Sequence, residues 1–248
     1  MRSTARIAAI ATLFVTVAGI TWLILESTPV RLGFEDTDDP ALMVEFIRQY
    51  PDVFAQAGVV LILMAIGLTI AVLAVAGVIR PAAGALSNRA TLAFGLFSAG
   101  LLLLAGGIRV GSSGPLLHMA GLSQATGEAA YVAAQVVSQA VLNAAVLALC
   151  LWAVGLSMIG FRSRVFPLAL CALGVLPGYR IVGGLLGPVG LLPDIGLLWL
   201  IGMASIFGTF LWCLLLGLVL FRRGFWAARP PIGAQRSRSP AVGTTREA

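Results

Sequence analysis

Residues 57–79 read AGVVLILMAIGLTIAVLAVAGVI and contain no charged side chain. A helix needs roughly 20 apolar residues to cross a hydrocarbon core of about 30 Å. Lipid offers no hydrogen bonds to the backbone, so a run of this kind must satisfy its amides internally, as a helix. Five more runs of the same character occur, at 7–25, 90–110, 129–156, 165–187 and 195–221. The pattern predicts an all-α polytopic bundle of six transmembrane helices over residues 1–221. A basic tail, residues 222–248, follows. It is rich in Pro, Ser, Gly and Arg, and too poor in apolar residues to bury a core.

Composition agrees. The 248 residues are 59% hydrophobic and 10% charged, where a soluble domain carries about 25% charged residues. The first run, IAAIATLFVTVAGITWLIL, follows Arg2 and Arg6. It is longer than the roughly 7–15 residues of a signal-peptide core and no A-x-A site follows it, so it reads as a span. The three cysteines, Cys150, Cys171 and Cys213, all lie in apolar runs and read as small buried hydrophobes.

Arginine placement sets the orientation. All 16 basic residues are arginine. With a cytoplasmic N-terminus, only Arg31, Arg48, Arg109 and Arg180 fall outside; the rest occupy the N-terminus, the two inner turns and the tail. Bias of this sign marks the cytoplasmic side, so both termini are expected in the cytoplasm of a cell whose inner membrane holds the chain. The tail should attract anionic lipid. Nothing in it favours nucleic acid over that reading.

Between the first two runs, DDPALMVEFIRQYPDVF (38–54) carries a helix start, with Asp39 as cap and Pro40 in the first turn. Leu42, Met43, Phe46, Ile47 and Tyr50 follow at spacings of three and four, and Pro51 closes the segment. A short amphipathic helix on the outer surface results, either capping the bundle or acting as a lid. The second outer segment, GSSGPLLHMAGLSQATG (111–127), reads as a Gly-rich turn holding the only histidine, His118.

The fourth run is anomalous. YVAAQVVSQAVLNAAVL (131–147) places amides in a segment otherwise suited to lipid. At 100° per residue, Glu128, Tyr131, Gln135, Ser138, Gln139 and Asn143 share one arc of about 140°. Polar groups in hydrocarbon must find partners. They either hydrogen-bond across to neighbouring helices or line a polar cavity. The fifth run adds Pro177 and Gly178, which predict a kink, and then Arg180 inside the span. An intramembrane arginine is a functional candidate by default. It either snorkels to the outer interface or pairs with Glu128 or Asp194, and it suits an anionic or carbonyl-bearing ligand. Gly174 and Gly178, like Gly183 and Gly187, have the spacing that lets helix backbones approach.

Several chemistries lack their residues. One histidine excludes two-His metal sites and bis-His haem, and there is no H-E-x-x-H, G-x-S-x-G or Walker motif. The span interiors hold no Asp or Glu for a proton relay, and the two halves show no repeat. No cofactor, metal site or catalytic residue is expected.

The loop DDPALMVEFIRQYPDVFAQAG and the later stretch LWAVGLSMIGFRSRVFPLALCALGVLPG resemble an uncharacterised bacterial family of six-span integral membrane proteins, the domain of unknown function 4386 family. The resemblance spans about residues 5–222. It implies an inner-membrane protein of six helices and brings no catalytic residues. The function expected is that of a non-enzymatic accessory or sensory membrane component, working with a membrane-protein partner. The alternative is a small-molecule binder or permease, with Glu128, Tyr131, Gln135, Gln139, Asn143 and Arg180 around a polar cavity between the fourth and fifth spans. An open polar cavity would favour the second reading; a dry, hydrogen-bonded interface would remove its basis.

Overall fold

The computed structural model of the protein describes residues 2–34, 36, 39–80, 84–178 and 195–225. They form helices throughout, with no strand among them: α1 (Arg2–Glu26), α2 (Thr28–Arg31), α3 (Pro40–Gln49), α4 (Pro51–Ile79), α5 (Ala85–Leu122), α6 (Gln124–Ser163), α7 (Leu168–Leu173) and α8 (Ile195–Phe225). Five of these, α1, α4, α5, α6 and α8, are long and apolar enough to cross a membrane.

The five pack antiparallel in the order α8, α1, α4, α5, α6. Arg6 Nε donates to Gly224 O at 3.1 Å, which joins the start of α1 to the end of α8. A Cβ on Gly77, late in α4, would lie 3.2 Å from Thr4 Cγ2, early in α1. Ser98 Oγ of α5 donates to Ala145 O of α6 at 2.8 Å. Trp152 and Trp212 meet edge to face at 5.4 Å and bring α6 against α8. The core between the helices is apolar, built on Leu61, Leu68, Leu102, Trp152, Leu156, Trp212 and Leu216. Ile10, Phe14, Val17, Ile20 and Ile24 stand exposed along α1, as do Leu63, Ile66, Ile70 and Leu73 along α4. An outward apolar stripe at helical spacing beside an apolar core is what a lipid-facing helix requires.

The far end of α5 departs from the sequence reading. The second outer segment is no turn: α5 runs on to Leu122, one residue, Ser123, breaks the helix, and α6 begins at Gln124. The Ser123 hydroxyl accepts from Thr126 N at 3.1 Å and so caps the new helix. The glycines at 111, 114 and 121 lie within helix, where a Cβ would meet nothing within 4 Å. His118 is therefore exposed on α5 rather than in a loop. At 38 and 40 residues, α5 and α6 extend about 57 and 60 Å, twice the hydrocarbon thickness.

α3 forms as expected, with Asp39 Oδ1 accepting from Ala41 N at 2.8 Å. Its buried face is Met43, Val44, Phe46 and Ile47, packed on Phe54, Leu116, Ala120 and Tyr131. Leu42 and Tyr50 are more than a third exposed. Tyr50 leaves the face because it is the C-cap, with φ −131° and ψ 61°, so helical spacing no longer aims it. Pro51 opens α4 rather than closing α3. Arg48 Nη2 donates to Ala120 O, in the last turn of α5, and ties α3 down.

The fifth expected span, 165–187, is described only as far as residue 178, and the rest lies outside the described residues. Its described part is α7, which ends at Leu173. The turns that follow carry Val175 N to Ala172 O and Gly178 N to Val175 O bonds. The interruption thus starts one turn ahead of Pro177, whose ring disfavours helical geometry in the residue before it. Gly174 lets α7 close on α6 and α8, because a Cβ there would collide with Ser157 Oγ and Trp212 Nε1.

Candidate functional site

At the end of the bundle that carries α3, a cavity of about 670 Å³ opens between α1, α3, α4, α5 and α6. Tyr131, Gln135, Gln139 and Asn143 line it from α6. Gln135 and Gln139 make no hydrogen bond to another described residue. Gln139 and Asn143 are exposed, Gln135 is half-buried and Tyr131 is buried.

The arc read from the sequence is displaced rather than absent. The buried residues of α6 in this half, Gly127, Tyr131, Ser138, Leu142 and Ala145, centre on about −15° when Tyr131 is set at zero. The amides lie to one side, at about 40° to 120°. The helix thus buries its small and apolar side and offers the amide edge to the cavity.

Opposite the amides stands a charge pair that the sequence reading did not assemble. Arg109 of α5 is 2% exposed. Its Nε donates to Ser138 Oγ at 3.1 Å, and its Nη1 donates to Glu26 at the end of α1. The guanidinium carbon stands 5.9 Å from the centre of the Phe54 ring. Its Nη2 is buried without a hydrogen-bond partner. An ion held away from water is tolerable only when paired and hydrogen-bonded, and Glu26, Ser138 and Phe54 supply three contacts of that kind from three helices. Arg109 and Glu26 both line the cavity. Each ended an apolar run and so read as an ordinary interface charge. The missed signal was that α5 continues past its apolar run to Leu122, which leaves Arg109 within rigid helix instead of at the edge of a loop, facing Glu26, the last residue of α1.

Met43 and Phe46 of α3, with Val53 and Phe54 of α4, form the apolar part of the wall. α3 therefore forms part of the cavity wall as well as packing on the bundle.

Two of the expected site residues are not brought in. Glu128 is half-buried but forms no ion pair with a described residue and does not line the cavity. Arg180 and Asp194 lie outside the described residues. Among the described residues no cluster of His, Cys, Asp and Glu could hold a metal ion. All three cysteines are buried, and none is in a disulfide among the described residues.

The chain matches no protein-family model, no curated protein and no solved structure. The site's own geometry is what bears on function.

Proposed function

We propose that the protein is a six-span component of the bacterial inner membrane, with both termini cytoplasmic, that binds a small polar molecule in an outward-facing cavity. The observation that carries this reading is the amide edge of α6, which lines an open cavity beside the Arg109–Glu26 pair instead of a dry helix interface. Ligand sites typically combine apolar walls with a few convergent polar groups at a volume of about 300–1,000 Å³, and this cavity has that make-up.

Chain geometry supports the sixth span. α6 ends beside Arg162 and α8 ends beside Arg6, at the same end of the bundle. A sixth span over the fifth apolar run would account for that placement. Arg80, Arg89, Arg162, Arg164, Arg222 and Arg223 all belong to that end, which supports a cytoplasmic assignment. The resemblance to a six-span bacterial family fits the same arrangement.

A sensory or accessory role fits better than a permease. Beyond the cavity, toward the arginine-rich end, Met64, Leu102, Leu142, Leu149 and Trp152 belong to one continuous apolar core.

Two measurements test the proposal. Gln139→Cys in whole cells should react with a membrane-impermeant maleimide, while the native buried cysteines stay silent. Gln135→Leu/Gln139→Leu should leave thermal stability in detergent unchanged or raised, because no hydrogen bond between helices is lost. A fall equivalent to about 1 kcal/mol or more would show instead that the amides hold helices together. Absence of labelling would remove the outward cavity.

A further inference from the structure

The opposite end of the bundle carries a second site, independent of the cavity. Two apolar grooves flank the last turns of α6. One, of about 270 Å³, lies between α6 and α7 and includes Phe161 and Leu168. The other, of about 440 Å³, lies between α6 and the start of α5 and includes Phe94 and Leu151. Met158 and Arg162, one helical turn apart, line both. Met158, Phe161 and Leu168 are more than half exposed.

Charge completes the picture. Arg162 is exposed and forms no hydrogen bond or ion pair with a described residue. Every described acid, from Glu26 to Glu128, belongs to the other end. Arg89 and Arg164 lie close by in sequence at the same end, again without acids. An unpaired cation at the lip of two apolar grooves needs an anion that brings its own apolar chains.

We propose that Arg162 and Met158 form a binding site for an anionic phospholipid. Its phosphate would rest on the Arg162 guanidinium, with one acyl chain in each groove on either side of Met158. Arginine suits phosphate because its donors form a planar fork. Basic pockets between helices on the cytoplasmic side are where anionic headgroups lodge.

The test uses the full-length protein in detergent, with phosphatidylglycerol and phosphatidylcholine of identical chains. Retained lipid is counted by native mass spectrometry. Wild type should retain phosphatidylglycerol in preference to phosphatidylcholine. Arg162→Gln should weaken that preference about fivefold, the factor expected for one arginine near an anionic surface. Met158→Trp, at an exposed position, should displace the lipid while leaving every charge in place. Arg80→Gln, at the same end but outside both grooves, should weaken the preference clearly less than Arg162→Gln does. Equal losses for Arg80→Gln and Arg162→Gln would overturn the site in favour of diffuse attraction to a basic surface. Retention unaffected by Met158→Trp would overturn the role of the grooves. Displacement of the lipid by millimolar inorganic phosphate would do the same, by reducing the site to a headgroup pocket.

Discussion

Arg109 shows how a single residue can organise a membrane site. A charge in a span is tolerated when its partners arrive from other helices, and here α1, α4 and α6 each supply one. Glu26 is the partner whose removal can be measured. Its side chain is 32% exposed, so water offsets part of the loss and Glu26→Ala should cost about 1–3 kcal/mol, below the range for a fully buried pair. Arg109→Met keeps the stem's volume and removes the charge. The double variant should be milder than the sum of the two by at least about 1 kcal/mol. Unfolding in mixed micelles measures all three, and additive losses would mean that the pair does not couple. The same residues explain what the sequence concealed. A helical wheel reports angles within one helix, whereas Arg109, Glu26 and Ser138 meet only through the packing of three.

Among the elements, α4 and α5 approach closest beside the cavity, where Gly58 faces Gly106. A Cβ on Gly106 would lie 2.6 Å from Gly58 O and 3.0 Å from Ile62 N. Backbone atoms cannot move aside as a side chain can, so Gly106→Ala should push the helices apart and cost about 1–3 kcal/mol. Its neighbour serves as the control. A Cβ on Gly107 would meet nothing within 4 Å, and Gly107→Ala should be neutral or stabilising by up to about 1 kcal/mol. Thermal melts of the two variants decide the point, and equal effects would remove the close approach as the cause. Elements were largely legible in the sequence. The long apolar runs located five helices, and Asp39–Pro40 located the start of α3. The outer end of α5 was not legible, because Gly, Ser and Pro115 read as turn signals. In α5 they are overridden by packing of its extension against α3 and α6.

At the scale of the molecule, charge is sorted by end: most of the described arginines at one, the described acids, the amides and α3 at the other. A reporter fused after residue 222 should behave as cytoplasmic, and one inserted near Asp38 as external; the reverse pattern would invert the proposed topology. The amphipathic helix and the polar edge of α6 were both readable as parts, but not their meeting place. A cavity is a property of the gaps between helices, and sequence periodicity describes only their surfaces.

The single residue between α5 and α6 also has a consequence for biosynthesis. Ser123 leaves no slack, so the two helices form a hairpin whose tip, in the proposed topology, passes through the membrane as one body. Arg109 alone disfavours insertion of α5, and the amides disfavour insertion of α6. The Arg109–Ser138 and Ser98–Ala145 bonds run between these same two helices. A nascent chain released with α5 but without α6 should therefore integrate poorly, and one carrying both should integrate well. The unit of insertion is the pair.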